Sequence, residues 1–250
     1  MPGRWLFVRM HGPTRVPSRG ELPLSLGETA RLLRAADPCA CLFFDRTGTA
    51  GDTLEVWLDA RPDVRAAAAR LLRVPGGGWV TTALRPADRP ADHLPYGGHD
   101  VFDELAAVSS ELALHPLGGD QVDFAVAHLR GLFAIAGDRA QAIAFECWRH
   151  WSATLSPTRR VAESVEAALR AGTLPHTRPP RLAAYLTATE RAVLGQRSRA
   201  ALPAPYLVFT QALGTHARLA LPPSVGAAAA LTVRNELADR TVSALSGRSA

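Results

Sequence analysis

The chain has 250 residues, 47% hydrophobic and 20% charged, with a formal net charge of +5 at pH 7. That length holds one large domain or two small ones with ample core, and the balance of apolar and charged residues excludes a disordered chain. No apolar run approaches the roughly 20 residues that span a bilayer, and Met1-Pro-Gly-Arg leads straight into a strand-like segment without a signal-peptide core, so a cytoplasmic location is expected.

Trp5 to Met10 reads as a first strand and His11 to Pro23 as a Pro/Gly-rich loop. Ser25 opens a helix carrying Leu26, Ala30, Leu33 and Arg34, which ends before Asp37-Pro38. Cys39 to Arg46 is expected as a strand, followed by a Gly-rich turn. Thr53 to Asp59 alternates apolar and polar positions, so it pairs with that strand as a hairpin. A helix covers about Pro62 to Arg73. Gly76-Gly77-Gly78 then turns into the strand Trp79 to Leu84; with no Lys-Ser/Thr after it and no helix to open, the run is not a phosphate loop.

The stretch from Asp92 to Leu114 is a loop that feeds a helix. Pro95 and Gly97-Gly98 punctuate the backbone, Asp100 is placed to cap, Asp103 and Glu104 suit the first turn, and Val101, Leu105, Val108 and Leu112 form one apolar stripe. Tyr96 and His99 flank the glycine pair as groups able to exchange protons. Beyond it the pattern is helical: Asp120 to Ile135, Ala140 to Leu155, Pro157 to Ala171, Pro180 to Arg199 and Ser224 to Leu245, with Pro203 to Leu221 open to strand or helix. Strands crowd the first third. The expected class is therefore α+β, a single domain over 1–250 whose sheet-rich part is 1–90 and helix-rich part 91–250.

Function classes narrow by exclusion. Every one of the 28 basic residues is Arg, so nucleotide bias contributes to their number, although the positive balance still favours an acidic partner. The arginines are scattered, not clustered with aromatics, so no nucleic acid is expected. Cys39, Cys41 and Cys147 lack the paired Cys/His spacing of a zinc site; Cys39 and Cys41 are expected on one face of a strand as small hydrophobes, and no metal or other cofactor is expected. A hydrolase elbow and a dinucleotide-binding glycine turn are both missing.

Three stretches in order carry a resemblance: Trp5-Leu-Phe-Val-Arg9; Phe43-Phe-Asp-Arg46 with its alternating strand; and Tyr96-Gly-Gly98 leading into an acidic helix that ends in Ser109-Ser110. Together they resemble the C-terminal, glutamate-eliminating domain of class I lantibiotic dehydratases, which also occurs as stand-alone proteins in thiopeptide biosynthesis. The resemblance implies that domain's fold over nearly the whole chain. The departures fall on the chemistry. Thr53-Leu-Glu-Val-Trp57 stands where the eliminating enzymes carry His-Leu-Arg-Leu-Arg, Pro95 stands for an Arg, and Leu219 to Val225 replaces a His- and Arg-bearing run. Only Arg46 survives at a matching position.

These losses match the thiopeptide pyridine-synthase branch. It joins two dehydroalanines of one modified peptide in a formal [4+2] aza-cycloaddition, then expels water and the leader peptide to leave a pyridine-centred macrocycle. The alternatives are a glutamate-eliminating domain and a non-catalytic leader-binding partner. The implied partner is a precursor peptide bearing dehydroalanines, azoles and an acidic leader, with other biosynthetic enzymes as further possible partners. Such chemistry asks for proton donors and acceptors without a metal, which selects Tyr96, Tyr206, His99 and His216, the histidines being otherwise surface or capping residues. Tyr185 reads as core. Arg46 is the candidate to hold a peptide carbonyl and Trp57 to offer a flat face to an azole.

Overall fold

The computed structural model describes residues 5–13, 21–47, 53–88, 100–117, 119–160, 162, 179–196 and 202–246. They belong to two compact units, one of residues 1–115 with 217–220, the other of residues 116–216 with 221–250. The last strand ends at Ala87, and the first unit runs on to residue 115 because the helix that follows packs on the sheet.

The first unit is built from β1 (Trp5–His11), α1 (Leu24–Ala36), β2 (Cys41–Thr47), β3 (Thr53–Asp59), α2 (Pro62–Arg73), β4 (Val80–Ala87) and α3 (Asp100–Ala113). The strands form one sheet in the order β2-β3-β1-β4, with every neighbouring pair antiparallel. This is a split βαβ arrangement of ferredoxin-like topology, in which β3 lies between β1 and β2, and β1 between β3 and β4. Alternation along the strands gives the sheet two faces. Val8, Met10, Phe44, Leu54, Val56 and Leu58 share one face and are fully buried. Trp5, Phe7, Arg9, Cys41, Phe43, Asp45, Glu55 and Trp57 share the other, where Ala106 of α3 completes a cluster with Trp5, Phe43, Cys41 and Trp57.

The strand β2 runs from Cys41 to Thr47, starting two residues later than the Cys39 expected from the sequence. Asp37 is the cause. One of its carboxylate oxygens accepts the Cys39 amide at 3.2 Å and the other the Arg61 amide at 2.8 Å, so Pro38 and Cys39 are held in a turn. Cys39 is exposed there while Cys41 is half-buried in the strand, and the two cysteines do not form the expected pair on one strand face. On β4 the strand runs from Val80 to Ala87, and Gly76, Gly77 and Gly78 all adopt positive φ in the turn before it.

The second unit is helical: α4 (Gln121–Ile135), α5 (Ala140–Ser152), α6 (Pro180–Leu194), α7 (Ala204–Arg218, up to His216) and α8 (Pro223–Ser246), with one 3-10 turn at Gly137–Arg139. Asp120 caps α4, its Oδ1 accepting the amides of Val122 at 2.8 Å and Asp123 at 3.0 Å. The Pro203 to Leu221 stretch resolves as helix, since Leu207, Val208, Gln211, Ala212, Thr215 and His216 fall at three- and four-residue spacing and are all buried. Ala227 to Ala230 are buried on α8, and a side chain at Gly226 would meet the Trp151 ring at 2.6 Å. Arg130 and Glu236 join α4 to α8 through a bidentate pair at 2.9 and 2.6 Å. Most of the helix expected over Pro157 to Ala171 lies outside the described residues.

The helix α7 ends in a Schellman motif. The Leu221 amide donates to His216 O and the Ala220 amide to Ala217 O, both at 3.0 Å. The residue in the left-handed position is Ala220, at φ 53°, where glycine is usual. An L-residue there carries a Cβ clash of about 1–2 kcal/mol, partly offset by the lower backbone entropy of alanine in the unfolded chain. Ala220→Gly is therefore expected to raise the unfolding free energy by up to about 1 kcal/mol in urea titration, and a loss would contradict the strain.

Candidate functional site

The chemistry-bearing side chains of the first unit gather at the end of β2. Ser109 and Ser110, buried in the last part of α3, face this strand; Ser110 Oγ accepts the Phe44 amide at 3.0 Å. The guanidinium of Arg218, only 6% exposed, donates from Nε to Phe44 O at 2.8 Å, from Nη1 to Ser109 Oγ at 3.0 Å and from Nη2 to Asp45 Oδ1 at 2.6 Å. Both the amide and the carbonyl of Phe44 are thereby satisfied without a fifth strand. Arg46 follows. Its Nε donates to Arg218 O at 3.0 Å and its Nη2 to Glu21 O at 3.4 Å. Burial lowers the Arg46 pKa to about 10, so it stays cationic at neutral pH inside a partly desolvated setting. A desolvated, pre-oriented guanidinium is suited to stabilising charge that develops on a carbonyl oxygen.

On the other face of the sheet, Trp57 lies against Phe7 with ring centroids 4.6 Å apart, and the guanidiniums of Arg9 and Arg85 stand 5.5 and 5.3 Å from the centre of the Phe7 ring. Glu55 is held by Arg9 at 2.6 Å. The register pairs Phe43 with Trp57 and Arg46 with Leu54, so Arg46 and Trp57 project to opposite faces. The two candidate substrate contacts do not converge.

In the second unit a buried polar chain runs across three helices. Thr215 Oγ1 and Tyr185 Oη lie 2.9 Å apart, Tyr185 Oη is 3.1 Å from His128 Nε2, and His128 Nδ1 is 3.3 Å from His216 Nε2. Trp151 stacks on His216 at 4.5 Å between centroids. His128 is 0% and His216 2% exposed, and His216 Nδ1 has no hydrogen-bond partner. His216 is thus a core residue, against its expected surface or capping position, and Tyr185 is core as expected but with its hydroxyl in use.

Tyr206 is half-buried in the first turn of α7. Ten positions separate it from His216, about 15 Å along the helix at about 1.5 Å per residue, so the two do not act on one atom. Tyr96 and His99 lie outside the described residues. Sequence reasoning overlooked His128, Thr215 and the fork of Arg218. An imidazole at position 128, among the helically spaced apolar residues Ala125, Val126, Leu129 and Leu132, was the available signal for the first.

Burial lowers the His128 pKa to about 3, and burial together with the neighbouring His128 holds His216 well below its ordinary value. Both imidazoles are neutral in the folded unit. The unfolded chain takes up protons below about pH 6.5, so stability is full above that pH and falls as pH drops toward the folded values, by about 1.4 kcal/mol per pH unit for each histidine. Urea titrations at pH 7, 6 and 5 should show this loss, and His128→Gln should roughly halve the slope between pH 6 and 5. An unchanged slope would mean that His128 is not the neutral group.

Neither a protein-family model nor a curated protein matches the sequence. Among solved structures, the chain is similar to the tRNA-dependent lantibiotic dehydratase MibB from Microbispora sp. 107891, with a TM-score of 0.59 and 18% identity over 96% of this chain and 29% of that one. It is also similar to TbtD, the pyridine synthase from thiomuracin biosynthesis, with a TM-score of 0.46 and 16% identity over 94% of this chain and 98% of that one. The chain thus spans 29% of the length of the dehydratase that it matches. Its architecture, a small antiparallel sheet joined to a mainly helical remainder, is a lantibiotic dehydratase-like fold.

Proposed function

We propose that the protein is a thiopeptide pyridine synthase, which performs a formal [4+2] aza-cycloaddition between two dehydroalanines of a precursor peptide and then expels water and the leader. The observation that carries this reading is the chemistry of β3. Elimination of a glutamyl ester needs cations to hold the departing carboxylates. Where the eliminating enzymes place them, this strand presents Glu55, engaged with Arg9 at 2.6 Å, and Trp57 packed on Phe7. The strand itself thus offers a departing glutamate no cation; the guanidiniums on this face, Arg9 and Arg85, come from β1 and β4 and stand over the Phe7 ring, with Arg9 already paired to Glu55.

Cycloaddition has other needs. Holding two reactants face to face supplies effective molarities on the order of 10⁵–10⁸ M, about 7–11 kcal/mol of the barrier. The diene is the iminol tautomer of a backbone amide, so a proton moves from nitrogen to oxygen before the ring closes. Water and the leader carboxamide leave afterwards, and each departure gains from a positioned acid or base, by about 10²–10⁴-fold. Arg46 is the group assigned to the polarised amide oxygen. With His216 in the core, proton transfer is assigned to Tyr206, Tyr96 and His99, and the azole contact to Trp57 at a separate stretch of peptide.

Mass spectrometry of a leader-bearing bis-dehydroalanine peptide incubated with the protein tests the reading: a product lacking water and leader is expected. No dehydroalanine should form from a glutamylated serine peptide. If that second reaction occurs, the eliminating activity replaces the proposal. Tyr206→Phe should lower turnover by about 10²-fold or more with unchanged thermal unfolding. The placement of Arg46 and Trp57 on opposite faces favours a second reading, a non-catalytic peptide-binding partner; binding without any product would select it.

The positive balance supports an acidic leader as the bound segment, met by arginine forks. Calorimetric titration with the leader alone should show affinity falling as salt rises, because exposed charges are screened beyond about 8 Å at physiological ionic strength. Equal affinity for a leader with its acids changed to amides would remove the electrostatic part.

A further inference from the structure

We propose that Arg218 is a positioning residue for Arg46, acting through its own main-chain carbonyl; this rests on the reading of Arg46 as a group that meets the peptide. Residue 218 binds three consecutive positions of β2 in three ways. Its Nε takes the carbonyl of Phe44, its Nη2 takes the carboxylate of Asp45, and its carbonyl oxygen accepts Nε–H from Arg46. The third contact is the functional one, because it holds the Nε end of a long side chain whose Nη2 reaches Glu21 O, and so sets the direction of the guanidinium plane.

The geometry explains why the first two contacts are required for the third. The carbonyl of Arg218 belongs to the last residue of α7, where carbonyls lack helical partners. Those of His216 and Ala217 are taken up by the Schellman motif, and that of Arg218 receives Arg46. The carbonyl stays beside β2 only while residues 217–220 do. Of these four, Ala217, Leu219 and Ala220 have no side-chain donor, so the Arg218 fork is the polar side-chain tether of the segment. Each of its three nitrogens is engaged, by Phe44 O, Ser109 Oγ and Asp45 Oδ1. Lysine keeps the charge but loses the planar fork, and so cannot hold strand and helix at once.

Two readouts separate positioning from mere stability. The first needs no substrate: nitrogen-15 spectra of the arginine Nε–H groups in the wild type, Arg218→Lys and Ser109→Ala. The Arg46 signal should exchange slowly with water in the wild type and about tenfold or more faster in Arg218→Lys, with a smaller rise in Ser109→Ala, where one of three tethers is lost. Should Arg218→Lys fail to fold, Ser109→Ala carries the same test. An Arg46 signal unchanged in a folded variant whose melting temperature has dropped overturns the proposal and leaves Arg218 a structural residue. The second readout is a double-mutant cycle on cyclisation with Arg46→Lys. Arg218→Lys should cost about 10–10²-fold in kcat/KM, and far less when Arg46 is already lysine. Additive losses also overturn it. If the wild type forms no product while Arg46 is protected, the functional reading fails and the positioning geometry stands.

Discussion

The guanidinium of Arg218, 6% exposed, binds the middle of the edge strand β2 in the sheet formed by the first third of the chain. Arg218 satisfies the carbonyl of Phe44 and Ser110 its amide, so the outward backbone groups at this position of the edge strand β2 are paired without another strand. Burial of an unpaired charge costs several kcal/mol, and here it is offset by a carboxylate, a carbonyl and a hydroxyl arranged around one planar fork. The same constraint places Ser109 and Ser110 at the end of α3, fixes which face of that helix meets the sheet, and brings the carbonyl that Arg46 uses. Removal of one partner would leave a desolvated charge, a larger loss than the bond itself.

The histidine pair of the second unit solves the opposite problem. His128 and His216 are buried as neutral imidazoles, and the hydroxyls of Tyr185 and Thr215 continue the chain of polar atoms. Neutral rings cost far less to bury than ions, provided that each nitrogen finds a partner. Three of the four do, and His216 Nδ1 does not. Stacking on Trp151 gives that ring a fixed plane, and the missing side chain at Gly226 leaves the indole its room. The bidentate Arg130–Glu236 pair ties α4 to α8 in the same unit.

Local rules made much of the fold legible. Alternation in Thr53 to Asp59 identified β3 and its apolar face, Asp120 announced α4, and the order of strands before helices gave the α+β class. The start of β2 was missed by two residues because Asp37 reaches the Arg61 amide, 24 positions away, and no local pattern encodes that bond. The site was less legible for the same reason. Arg218 meets Phe44, Asp45 and Ser109 across separations of 174, 173 and 109 residues. That Arg46 and Trp57 face apart follows from a register set by the hairpin, which composition and motif order do not specify. His216 reads as polar in a one-dimensional pattern, yet its partners on other helices make it core.

A fold seen in a tRNA-dependent lantibiotic dehydratase here carries a sheet face with an acid–arginine pair and an indole. The proposed activity is a ring-forming step, and the fate of one nitrogen tests that most directly. A leader-bearing peptide is prepared with nitrogen-15 in the dehydroalanine that serves as the diene, incubated with the protein, and followed by nitrogen-15 NMR. The account predicts that the label leaves the amide region, loses its attached proton and appears as an aromatic pyridine nitrogen in a product freed of its leader. A label that remains an amide in a peptide that still binds the protein would contradict it.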